Sequence, residues 1–179
     1  GNEIVIGGWR IRKGADPSQA EWFSVALTKT TAPWAFSRGE PFRTIAALEL
    51  MGTLVSLMVL VPELEARGES AALVTMTCST DNQGNGHLLD RLLTTKYPLG
   101  VVLMELAHQM RRRRVVLRAQ WVPRDQNQEA DDLTNNEFRH FDERRRLPVS
   151  LEGLDFGVMP ELFECGDQYV AELDIQRAK

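Results

Sequence analysis

The stretch AALVTMTCSTDNQGN, residues 71–85, decides how the rest of the chain is read. Its first ten residues, Ser79 apart, are apolar or β-branched and carry no charge and no proline, which predicts a central strand of a sheet. The run ends on Asp81, and the polar DNQGNG that follows predicts a turn before a short helix, HLLDRLLTT. Two further acids stand in settings as distinct. Glu49 interrupts the apolar helical run IAALELMGTLVSL, and Asp131 sits in NQEADDL, just after the strand-like VVLRAQWVP. Carboxylates delivered by a helix, a strand end and a following helix can converge on divalent metal, and phosphoryl-transfer chemistry uses such clusters. Each acid also has an ordinary reading. Glu49 fits a solvated or ion-paired helix residue, Asp81 a helix N-cap, and Asp131 a surface acid beside Glu129 and Asp132.

Working outward, EIVIGGWRIR (3–12) and EWFSVALTK (21–29) are β-rich runs separated by the turn-prone KGADPSQ, the pattern of an antiparallel pair. A loop holding Pro33, Gly39 and Pro41 leads into a helix from about Phe42 to Leu60, stopped by Pro62 and Gly68. Pro98 opens a longer helix, LGVVLMELAHQMRRR, whose basic end suits the negative pole of the helix dipole. VVLRAQWVP reads as a further strand and NQEADDLTN as a helix start. The order β-β-α-β-α-α-β-α implies an α/β fold, a mixed sheet covered by helices. One domain over 1–147 is expected, with 148–179 as a loop and terminal helix packed on it.

At 179 residues the chain can build one substantial core. Hydrophobic residues make up 43% and charged residues 26%, ordinary for a soluble globular protein, and the net charge of -4 excludes a general nucleic-acid coat protein. The two cysteines, Cys78 and Cys165, have no metal-knuckle spacing, and Cys78 falls in a strand expected to be buried, so a reduced intracellular compartment is expected. The N-terminus shows no secretory h-region, and the apolar run Ile45–Val61 contains Glu49 and reads as a buried helix rather than a membrane span. Trp9, Trp22 and Trp121 fall in predicted strands, where core packing is expected.

In this order, a helix containing E-L-M, a strand ending T-D-N-Q, and W-V-P followed by N-Q-E-A-D-D-L resemble the ribonuclease H family. More narrowly, APWAF, RTIAALEL, TDNQGN, LLTTKYPL and WVPRDQNQEADDLTN are similar to the ribonuclease H domains of retroelement reverse transcriptases, most of all the DIRS-like, tyrosine-recombinase group. The resemblance covers roughly residues 4–142. It implies that Glu49, Asp81 and Asp131 are catalytic and hold two Mg²⁺ or Mn²⁺ ions. Asp131 rather than Asp132 matches the last position, because Asn127 stands four residues before it and Leu133 two after. The family's first strand carries a fourth acid and pairs with a strand often holding Gly-Gly-Trp. Here Gly7, Gly8 and Trp9 fit that second strand, so the fold is read as lacking the first strand. The chain starts just after that strand, or the domain is a degenerate copy.

The activity this resemblance implies is hydrolysis of the RNA strand of an RNA–DNA hybrid, with a reverse transcriptase domain fused upstream. Two metal ions about 4 Å apart would activate water and stabilise the leaving oxygen. Asn82 and Gln83 would bind the substrate, Gln83 reaching the minor groove, where 2′-hydroxyls distinguish RNA from DNA. A turn stabilised by Asx bonding is the other reading of these two residues. Arg111, Arg112 and Arg118 belong to the densest basic cluster and would bind phosphates; a solvated helix end is the alternative. Arg144 to Arg146 read as a surface turn. The alternative function is a catalytically silent domain of the same fold that supports a polymerase or binds nucleic acid. A third reading is a DNA-cutting recombinase or structure-specific nuclease of that fold.

Overall fold

The computed structural model describes residues 4–36, 45–63, 72–81, 83–94 and 96–177. Strand β1 (Ile4–Arg10) pairs antiparallel with β2 (Glu21–Leu27), in a register running from Ile4 opposite Leu27 to Arg10 opposite Glu21. The connection is local chemistry: Gly14 takes a positive φ of 82° and the Asp16 carboxylate accepts from the Ser18 N–H at 2.9 Å. After one short turn, α1 (Pro33–Phe36), comes α2 (Ile45–Leu60). The expected start of this helix near Phe42 lies outside the described residues. α2 is apolar over most of its circumference and is buried accordingly, with Leu50, Leu54 and Val55 fully enclosed.

Strand β3 (Val74–Thr80) and β4 (Val115–Trp121) form a parallel pair, Val74 opposite Val115 through Thr80 opposite Trp121. Parallel strands need a crossover, supplied here by α3 (Gln83–Arg91) and α4 (Leu99–Arg113). α5 (Gln128–Thr134) follows β4, and α6 (Met159–Arg177) ends the described chain. The architecture is mixed α/β. A single mixed sheet was expected, but the strands form two separate two-stranded sheets, because among the described residues nothing pairs with both β1 and β3. β3 is consequently half-exposed or exposed along its whole length rather than central and buried.

One core nevertheless joins both sheets: Ile6 and Phe23 from the first and Val115 and Leu117 from the second belong to one apolar cluster with α2 and α4. The β1–β2 hairpin is clamped between two helices. Side chains alternate across a strand, so Gly7 and Gly8 face opposite ways. A β-carbon at Gly7 would lie 2.8 Å from Leu133 Cβ on α5, and one at Gly8 would collide with Ser56 Oγ on α2. A second, aromatic cluster of Trp22, Leu133 and Phe141 lies on the hairpin, with Arg146 stacked 5.1 Å from the Trp22 ring centre. Trp22 also closes the outer edge of β2: its carbonyl accepts from Leu147 N at 2.7 Å, and its indole N–H donates to Asp142 O at 2.8 Å.

The last helix is tied down by a buried polar ladder along α4. Glu105, Gln109 and Arg113 recur every four residues and so share one face. The Glu105 carboxylate accepts from the N–H groups of Gly157, Val158 and Met159 at 2.9, 2.7 and 2.6 Å, satisfying donors at the start of α6. Gln109 links the ladder by donating to Glu105 at 2.7 Å. Arg113 donates to the carbonyls of Val61 at 2.9 Å and Met58 at 3.3 Å, which caps the end of α2. Met159 and Phe163 of α6 enter the main core, where Phe163 stacks on Trp34 at 5.1 Å.

Candidate functional site

The three acids arrive on the elements that carry them for plain reasons. Glu49 lies on α2 and is exposed although its neighbours Leu48 and Leu50 are buried, so its side chain leaves the packed face. Asp81 follows the last residue of β3 and is half-buried. Asp131 lies in the first turn of α5, also half-buried, whereas its neighbour Asp132 is turned inward. The buried Asp132 accepts from Gln128 at 2.8 Å and lies 3.7 Å from His140 Nε2. Asp132 is therefore engaged by its own surroundings, and Asp131 is the more accessible of the two.

Asn85 joins two parts of this region. It is buried on the first turn of α3, four residues after Asp81, and its amide donates to Ala46 O at 3.2 Å and to Glu49 Oε2 at 3.3 Å. These contacts seat the start of α3 on the first turn of α2. They also explain why α3 begins at Gln83, inside the QGNG run whose local preference is for a turn. Trp121 closes the other side. Its indole N–H donates to Asp81 O at 3.1 Å, joining the ends of β3 and β4, and the residue is 48% exposed, contrary to the expected core position. Trp22 does sit in the core, at 0% exposure.

Asp81 stands at the carboxyl ends of two parallel strands, where open α/β sheets place ligand sites. Carboxylate oxygens are the donors Mg²⁺ prefers, so the donor chemistry of Glu49, Asp81 and Asp131 suits it. Among the described residues no three acidic, histidine or cysteine side chains form a group able to hold a metal ion. Cys78 offers no softer ligand: burial pushes its thiol up to about 11.

The residues expected to read substrate are placed differently from one another. Asn82 lies outside the described residues, and Gln83 opens α3 with its side chain exposed. Arg118 is exposed on β4 opposite Thr77, and Arg111 is exposed on the last turn of α4. Arg112 is committed to carboxylates, 3.0 Å from Glu63 and 2.9 Å from Asp155, the latter hydrogen bond raising the pKa of its guanidinium. With Arg113 buried as a helix cap, the arginine run at the end of α4 divides between structure and surface. Asn85 and the exposed Trp121 were missed in the sequence. A buried-type amide inside a glycine-rich turn was the available sign for Asn85; for Trp121 there was none.

No family model matches this chain, and no curated protein or solved structure does either.

Proposed function

We propose that this chain is a ribonuclease H-like domain that hydrolyses the RNA strand of an RNA–DNA hybrid, as part of an intracellular retroelement reverse transcriptase. The observation that carries the reading is the position of Asp81 at the end of parallel strand β3, with Asn85 bonding back from α3 to Glu49. Helix, strand end and following helix present Glu49, Asp81 and Asp131 in the order of the family's acids. The bound metals, two Mg²⁺ or Mn²⁺ ions, would supply the activated water and stabilise the leaving oxygen. From the chain itself, exposed Arg111 and Arg118 would hold phosphates and Gln83 would contact the minor groove.

The direct test is cleavage of a hybrid with a labelled RNA strand in Mg²⁺ or Mn²⁺. The expected result is cleavage that falls by about a hundredfold or more in Asp81→Asn, the scale set by removing one group that stabilises developing charge. Glu49→Gln and Asp131→Asn should fall comparably. Cleavage no greater than in the Asp81→Asn control would overturn the enzyme reading. A silent domain of the same fold is the second reading. It predicts hybrid binding without cleavage. Cutting of duplex DNA but not hybrid would instead indicate a different nuclease of this fold.

A further inference from the structure

The closed end of the β1–β2 hairpin forms a cleft of about 780 Å³ lined by Arg10, Arg12, Gln19, Glu21 and Arg145, with Ile11 and Ala15. Its charge runs against the chain's net -4. Arg10 is neutralised by Glu21, which faces it across the hairpin. Arg12 and Arg145 have no ion-pair partner among the described residues, although acids nearby are taken by other arginines. Arg144 is held by Asp142 at 2.9 Å and Arg146 by Glu143 at 3.2 Å. Of three successive arginines, the middle one is left facing the cleft. Two guanidinium groups without an ion-pair partner among the described residues, Arg145 feeling Asp142 only at longer range, share one concavity, and their planar forks match phosphate oxygens.

The lining also says what kind of phosphate. Among the described residues that line the cleft none is aromatic, so these offer no platform on which a base could stack. Recognition through phosphates alone is the mode of sequence-independent backbone binding. The location separates it from the acids. Arg10 also donates to Leu60 O at the end of α2, and Glu49 lies eleven residues earlier on the same helix. At 1.5 Å per residue that is roughly 16 Å along the axis. We propose that the Arg10–Arg12–Arg145 cleft binds the phosphate backbone of a nucleic-acid strand, at a site apart from the three acids and independent of catalysis there.

The test is fluorescence anisotropy of a labelled single-stranded oligonucleotide with the full chain, titrated across salt. Arg12→Ala/Arg145→Ala should weaken binding on the order of tenfold and flatten the slope of log affinity against log salt by about 1.4, two contacts at ~0.7 each. Both side chains are exposed, and an unchanged melting curve would show the variant folded. Binding is read without divalent metal, which keeps this result separate from any loss of cleavage. Unchanged affinity and slope in the double variant would overturn the proposal. Displacement by inorganic pyrophosphate as effective, phosphate for phosphate, as by unlabelled strand would overturn the strand as occupant and assign the cleft to small phosphates.

Discussion

Glu105 shows how a single residue can look functional and prove to be structural. A fully buried carboxylate is expensive unless its charge is met, and here it is met four times over, by three backbone N–H groups and the Gln109 amide. Burial alone would raise its pKa; the hydrogen bonds from Gly157, Gln109, Val158 and Met159 outweigh it and hold the carboxyl below its usual range. The sign of the pH dependence follows. A depressed folded pKa means the stabilisation is complete above the unfolded value of about 4.3 and is lost as pH falls through the folded value. Thermal melts should therefore show stability falling below about pH 4.3, and Glu105→Gln should flatten that part of the profile. Glu105→Ala, which strands three N–H groups, should cost about 3 to 5 kcal/mol in denaturant titrations. A pH profile unchanged by the glutamine variant would sink this account. The other residues of the ladder were hidden for a related reason: the sequence MELAHQMRRR reads as a basic helix end, and nothing local distinguishes the inward Arg113 from the outward Arg111.

The hairpin is the element whose chemistry was most legible. Alternating apolar residues, a proline-containing turn and the bounds of β1 and β2 all depend on neighbours in sequence, and the structure places them within a few residues of expectation. What Gly7 and Gly8 are for depends on α2 and α5, which are far away in the chain and appear only once it has folded. Leu133 Cβ is fixed to a helix backbone and cannot swing away, so Gly7→Ala should destabilise the protein by roughly 1 to 3 kcal/mol, the cost of overpacking a tight contact. Equilibrium unfolding in urea measures it, and a variant as stable as the parent would mean that α5 can slide off the hairpin. The same division runs through the candidate site. Glu49 was visible as a charge inside an apolar run, and Asp81 as the polar end of a strand-like one. Asn85 was not, because its two tertiary hydrogen bonds pull a turn-forming segment into α3. Strand pairing was the least legible feature, since it joins β3 to β4 across forty residues and leaves β1 and β3 in separate sheets.

At the scale of the whole molecule, residues 148–179, expected as a loop and terminal helix packed on the domain, share the packing of its core. Leu151, Met159 and Phe163 lie in the same core as α2 and α4, and Phe163 stacks on Trp34 from the start of the chain. The polar ladder points the same way, since Glu105 of α4 is satisfied chiefly by backbone donors from 157–159. Ending the chain after Leu147 would remove those apolar side chains and leave a carboxylate enclosed without its N–H partners, a combination in which the two losses add. Neither loss is confined to the terminus, because both fall on α4, which packs against α2 and bridges the strands β3 and β4. The shortened chain should accordingly lose cooperative unfolding, with near-ultraviolet circular dichroism weakened while far-ultraviolet signal persists. Adding Glu105→Leu to the shortened chain removes the stranded charge and should recover part of the loss. A shortened chain that melts as sharply and at the same temperature as the full one would show that 148–179 adds nothing to the stability of the core.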